Sequence, residues 1–126
     1  RGSLLGLYKT TVDGMFEEQS APQTMGDRQG LRQLTLDNNS TKLQITTEGM
    51  VAFSLSHFDD AQFNYDVFYG GKHPYDLVRS NQIFAHFDFW QRGIGNRSCG
   101  GDSCLPQYKT PTGAHEFTLR FTPMAK

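Results

Sequence analysis

The stretch "HEFTLRFTP", residues 115–123, alternates apolar and polar side chains along most of its length. Phe117, Leu119 and Phe121 fall on one side of an extended chain, and threonine and arginine side chains fall on the other. Side chains that alternate with a period of two indicate a β-strand with one buried face. We therefore expect these three apolar residues to be buried in a sheet.

Four more segments predict strands. Two of them, "KLQITTE" (42–48) and "VAFSLSHF" (51–58), alternate in the same way, with Phe53 and Leu55 expected inside. A third, "LRQLTLD" (31–37), places Leu34 and Leu36 inward, and "QIFAHFDFW" (82–90) is apolar on both faces in part, as in a central strand.

The connections between these segments carry turn residues. "DNNS" (37–40) is typical of a hairpin loop and "EGM" (48–50) of a tight turn. The best helix candidate is "DDAQFNYDVF" (59–68), with Asp59 as N-cap and Gly70–Gly71 ending it, while residues 12–30 are expected to form a long polar loop. The fold class predicted is all-β, an antiparallel β-sandwich with one short helix, and residues 1–126 form a single domain.

Charge and hydropathy exclude several classes of partner. The formal net charge is −1, so the chain has no electrostatic footprint for nucleic acid or for an anionic membrane. No apolar run approaches the ~20 residues of a membrane span, and the first residues do not resemble a signal peptide. Because the chain does not begin with Met, we expect it to be cut from a longer protein.

The segment "GIGNRSCGGDSCLPQY" (93–108) concentrates four glycines and both cysteines. It lacks the Gly-Lys-Ser/Thr ending of a P-loop, so a loop shaped by glycine is favoured over a phosphate site. Free thiols at Cys99 and Cys104 are favoured over a short disulfide. Together with His86 or His115 these cysteines make an incomplete zinc ligand set, so we expect no metal and no cofactor in this chain.

Catalytic groups are not evident. The neighbouring carboxylates Glu17–Glu18 and Asp59–Asp60 are expected to be solvated rather than held across a sugar, as a glycosidase requires. His86 and Asp88 share one face of a strand, where a structural hydrogen-bonded pair is favoured over an acid–base or ligand pair. No serine lies in a Gly-x-Ser-x-Gly elbow, so the chain is predicted to have no catalytic residues.

Three blocks of sequence, between Tyr8 and Tyr108, resemble the carboxy-terminal domain of bacterial β-galactosidases of glycoside hydrolase family two. They are "YKTTVDGMF…APQTMGDRQGLR", "SHFDDAQF…KHPYDL" and "HFDFWQRGIGNRSCGGDSCLPQY", in the family's order. The resemblance implies part of a galactose-mutarotase-like β-supersandwich. It also implies that the catalytic glutamates lie in a TIM-barrel domain of the parent, which would be in the bacterial cytoplasm or periplasm.

By the same resemblance, the glycine-rich loop lies at the rim of the parent's sugar pocket. Its candidate substrate-binding residues are Asn96, Arg97, Ser98 and Cys99, with Cys99 where some members carry a tryptophan. The function implied is a non-catalytic terminal domain that supports the barrel and shapes the aglycone side of its carbohydrate site.

Two alternatives remain open on the residues alone. The first is a stand-alone carbohydrate-binding module, with Phe89, Trp90 and Tyr108 as candidate stacking residues. The second is a purely structural interaction domain. Titration of the chain with sugars separates the first alternative from the other hypotheses.

Overall fold

The fold is taken from a computed structural model, in which the described residues are 6–17, 27–63, 74–91 and 104–125. In chain order the elements are α1 (Val12–Met15), β1 (Leu34–Asp37), β2 (Lys42–Thr47), β3 (Ala52–Ser56), a 3-10 helix (Asp60–Phe63), a second (Pro74–Asp76), β4 (Phe84–Asp88), a third (Pro106–Tyr108) and β5 (Leu119–Met124).

The strands form two sheets. The larger sheet has the order β1-β2-β5, with both neighbouring pairs antiparallel, and the smaller sheet pairs β3 with β4. An isolated antiparallel bridge joins Arg28 to Phe53 of β3. This architecture confirms the predicted all-β sandwich class. Membership of a larger supersandwich stays a prediction.

The chain divides into two compact units. The first contains Arg1–Asp27 and Ser54–His86, and the second contains Arg28–Phe53 and Phe87–Lys126. The first unit includes α1, and the second includes the whole three-stranded sheet. That residues 1–126 form a single domain stays a prediction.

A four-residue loop closes the β1–β2 hairpin, as the sequence predicts. The side-chain oxygen of Asn38 accepts hydrogen bonds from the backbone N–H groups of Ser40 and Thr41, at 3.1 and 2.7 Å. Asn39 has a φ of 68°, a left-handed conformation that asparagine tolerates better than most residues. The loop therefore places its left-handed residue at an asparagine, a residue type that adopts this conformation readily.

The apolar face of the three-stranded sheet follows from its register. Leu34 pairs with Ile45, and Ile45 pairs with Phe121, so the three side chains lie on one face. Leu34 and Ile45 are buried, as is Leu55 in the other unit, whereas Phe53 and Leu36 are only half-buried. The alternation therefore identified the buried face of β1 and β2, but in β3 the buried residues Ala52 and Leu55 do not follow a period of two.

The expected burial of the β5 stretch is not observed at any of its three apolar positions. Phe117 and Phe121 are 58% and 55% exposed, and Leu119 between them is half-buried. β5 pairs with β2, and the apolar face that is buried at Leu34 of β1 and Ile45 of β2 is not covered at Phe121. The apolar face of β5 is therefore the part of this sheet face that is exposed to solvent.

The helix prediction also needs correction. The described part of residues 59–68 is a 3-10 helix, although Asp59 caps it as predicted, its carboxylate accepting from the N–H of Ala61 at 2.9 Å. Among the described residues the α-helix is instead α1, inside the segment expected to be a loop. Thr11 caps α1 by accepting a hydrogen bond from the N–H of Gly14 at 3.1 Å.

Candidate functional site

The predicted rim residues Asn96, Arg97, Ser98 and Cys99 lie outside the described residues. Of the glycine-rich segment, the structure describes the end, where Cys104 is buried and Pro106–Tyr108 form a 3-10 helix. The role of the rim residues and the state of the two cysteines stay predictions.

His86 has a different partner from the one predicted. Its Nε2 lies 2.7 Å from a carboxylate oxygen of Asp60, and both side chains are about half exposed or more. Residues two apart on a strand are roughly 6.6 Å apart along the chain, which is too far for His86 to pair readily with Asp88. The Asp60 pairing depends on a contact between distant segments, and a single sequence gives no signal for it.

A polar cluster in the first unit joins α1 to two later segments. The guanidinium of Arg79 donates a hydrogen bond to Asp13, and His57 Nε2 lies 4.0 Å from the same carboxylate oxygen. The Nδ1 atom of His57 lies 3.1 Å from the carbonyl oxygen of Ser80. The hydrogen bond from Arg79 lowers the pKa of Asp13 below its usual value, with the charges of Arg79 and His57 acting in the same direction.

The chemistry of this cluster is structural. Asp13 is paired with the Arg79 guanidinium, and the His57 ring is positioned by the contact of its Nδ1 atom with the Ser80 carbonyl. Nothing in the cluster activates a nucleophile, since no serine or cysteine hydrogen-bonds to His57 through its side chain among the described residues. We assign it to holding α1 in place.

The second unit contains an open groove of about 430 Å³, which we call the aromatic groove. It is lined by Glu48, Gly49, Met50, Phe89, Trp90, Glu116, Phe117 and Thr118. The register of the sheet explains how the lining assembles. Because Thr47 pairs with Leu119, the residues that follow β2 lie beside the residues that precede β5.

Two pairs of rings shape this groove. Phe89 stacks on Phe117 with ring centroids 4.4 Å apart, and Trp90 lies 4.4 Å from the ring of His115. The His115 Nε2 atom in turn lies 2.9 Å from the carbonyl oxygen of Pro111. Trp90 and Phe117 nevertheless remain 42% and 58% exposed. Each ring is therefore supported by a neighbour and still open to solvent.

The sequence predicted only some of the residues that line the aromatic groove. It named Phe89 and Trp90 as stacking candidates, and the structure places both in the aromatic groove. Tyr108, the third candidate, does not line the groove, and Phe117 stands there instead. Glu48 and Glu116 were missed because only the β2–β5 pairing, which joins distant parts of the chain, brings them together.

The described ranges contain neither a cluster of metal-ligating side chains nor a helix suited to span a membrane. There, no three His, Cys, Asp or Glu side chains lie close enough together to hold a metal ion. Within the same ranges, no helix has the length and apolar character needed to cross a membrane.

A family model described as "Beta galactosidase small chain" matches residues 1–122. No curated protein matches the chain.

Proposed function

Because the chain belongs to the β-galactosidase small-chain family, we propose that it is a non-catalytic domain that supports the catalytic domain of a β-galactosidase. We propose further that it shapes the aglycone side of that domain's carbohydrate site. The parent would then cleave a terminal β-galactoside with retention, using two glutamates outside this sequence.

The exposed apolar face of β5 carries the proposal of a supporting role. Phe121 is more than half exposed, although its cross-strand neighbour Ile45, on the same face, is 2% exposed. Leaving a large aromatic side chain in water forgoes roughly 1.5–3 kcal/mol of burial free energy. We assign the catalytic domain of the parent as the occupant of this face, because a small chain of a β-galactosidase implies such a partner.

A charge introduced on either face of β5 tests this role. In the intact parent, we expect Phe121→Asp to lower the thermal stability of the active enzyme, because it places a carboxylate in the interface. Thr122→Asp is the matched control, since it puts the same charge on the opposite face of the same strand.

The isolated chain supplies the second control for this experiment. Phe121 is already exposed there, so Phe121→Asp should change its stability by less than about 1 kcal/mol. If Phe121→Asp and Thr122→Asp lower the thermal stability of the parent equally, the proposal that the catalytic domain covers this face is wrong.

Shaping of the aglycone side is proposed for the glycine-rich loop, on the resemblance of its sequence alone. In the parent, Arg97→Ala should alter selectivity among aglycones more than it alters the chemical step on an activated galactoside. A contact beyond the scissile bond acts on leaving-group binding, while the glutamates perform the chemistry. Kinetics on two galactosides with different aglycones would measure this, and equal losses on both would leave the loop without a rim role.

A further inference from the structure

The aromatic groove presents two flat ring faces that are held in position. Trp90 is supported by His115, which contacts the Pro111 carbonyl, and Phe117 is supported by Phe89. Rings fixed by neighbours lose little conformational freedom when a ligand stacks on them. The loss of side-chain entropy on binding is therefore small. Such faces suit the C–H surface of a sugar ring or another flat apolar surface.

Hydrogen-bond acceptors stand beside these rings. Glu48 and Glu116 line the same groove, are exposed, and form no hydrogen bond or ion pair with other residues of the described chain. A carboxylate accepts hydrogen bonds at both oxygens, and such charge-assisted bonds are the stronger kind. Neighbouring hydroxyl groups of one ligand are therefore well matched to them.

The charge of the lining narrows the class of ligand. Among the described residues, the lining of the groove includes two glutamates and no lysine or arginine, which disfavours phosphorylated and other anionic ligands. Covering the groove with an apolar protein surface is disfavoured as well, because it would bury two carboxylates whose neighbours in the described lining include no cationic side chain. Its volume of about 430 Å³ falls within the roughly 300–1,000 Å³ of small-molecule pockets.

We propose that the aromatic groove binds a neutral hexopyranose, which stacks on Trp90 and Phe117 and donates hydroxyl hydrogen bonds to Glu48 and Glu116. The ligand class combines an apolar ring face with several hydroxyl donors, and the groove offers a surface for each. This site uses residues of the described chain alone, so it stands whether or not the proposed role in the parent is correct.

Trp90 makes the test direct, because it is the single tryptophan of the chain. Titration of the 126-residue chain with lactose should give a saturable change in tryptophan fluorescence, with a Kd in the millimolar range. No saturation by about 100 mM lactose, roughly a hundredfold above a 1 mM Kd, would overturn the proposal.

Substitutions in the groove locate the site. Glu48→Gln and Glu116→Gln keep the shape of the side chain and remove its charge, and each should weaken lactose binding by about tenfold. Phe117→Ala should weaken it by a similar factor, about tenfold, through the lost platform. Circular dichroism and thermal melting establish whether each variant is folded. If Phe117→Ala does not fold, the two isosteric glutamine variants still test the site.

Tyr108→Ala is the matched control. Tyr108 is an exposed aromatic residue of the same unit that does not line the groove, so its loss should leave the affinity for lactose unchanged. Choline is the comparison ligand, because rings and carboxylates together also attract an organic cation. Binding of choline without lactose, or lactose binding that none of the groove substitutions weakens, would overturn the proposal.

Discussion

Asp13 is the residue that ties α1 to the rest of the first unit. Its carboxylate is hydrogen-bonded by Arg79 and lies near His57, and these partners come from segments far from α1 in the sequence. The side chain is largely exposed, so the pairing is screened by solvent and contributes modestly to stability. The contribution of this ion pair to stability is therefore best measured through its dependence on pH.

Acid should weaken this attachment. The pKa of Asp13 is lowered from its usual value of 3.8, so the carboxylate stabilises the folded state at pH values above 3.8. That contribution is lost as the pH falls through the folded-state pKa. We expect the difference in thermal midpoint between the wild-type chain and Asp13→Asn to be present at pH 6 and to shrink below about pH 4.

Thermal melting of both proteins across this pH range measures the effect. Arg79→Gln is the companion variant, because it removes the same hydrogen bond from the other side. A difference between wild type and Asp13→Asn that is constant with pH would show that the ion pair contributes nothing.

β5 is an edge strand of the three-stranded sheet that the structure describes, and its apolar face is only partly covered. Its apolar residues share a face with the buried residues of β1 and β2, yet Phe121 is exposed to solvent. Pro123 also belongs to β5, and proline within sheets is confined mainly to edge strands because it lacks a backbone N–H. The composition of the strand thus agrees with its place in the sheet.

Two cross-strand neighbours should therefore respond differently to truncation. Ile45→Ala should cost about 2–5 kcal/mol of unfolding free energy, since it opens a cavity in the core. Phe121→Ala should cost less than about 1 kcal/mol in the isolated chain, because little of its contact is lost. Urea unfolding of the two variants measures both values, and similar costs would mean that the β5 face is covered in the isolated chain.

Local patterns predicted the parts of the fold that local physics decides. The hairpin loop at 37–40 and the cap at Asp59 depend on residues a few positions apart, and both are observed. Alternation assigned the face of Phe121 correctly but could not tell whether anything covers it. The short helix α1 was missed because its four residues give no periodic signal.

The candidate site shows the same division between local and distant contacts. Phe89 and Trp90 attract notice as neighbouring aromatic residues after a strand, and both line the aromatic groove. The two glutamates look like ordinary surface residues until the register of β2 against β5 is known. The rim residues, by contrast, rest on resemblance to a family and not on an arrangement that the residues themselves reveal.

At the scale of the whole molecule, the chain is expected to be inactive alone. The resemblance to β-galactosidases implies catalytic glutamates outside this sequence, and the two carboxylates of the aromatic groove are exposed to solvent. We expect no hydrolysis of a chromogenic β-galactoside by the purified chain. Turnover that vanishes in Glu48→Gln or Glu116→Gln would instead make the groove an active site and overturn the domain assignment.

The order of strands in the larger sheet bears on how the protein folds. The β1–β2 hairpin closes a loop of a few residues, whereas Thr47 must find Leu119 across most of the remaining chain. Closing a long loop costs more entropy than closing a short one, and contacts between distant residues slow folding. The hairpin should therefore form early, with the arrival of β5 as a late step that assembles the sheet and the aromatic groove together.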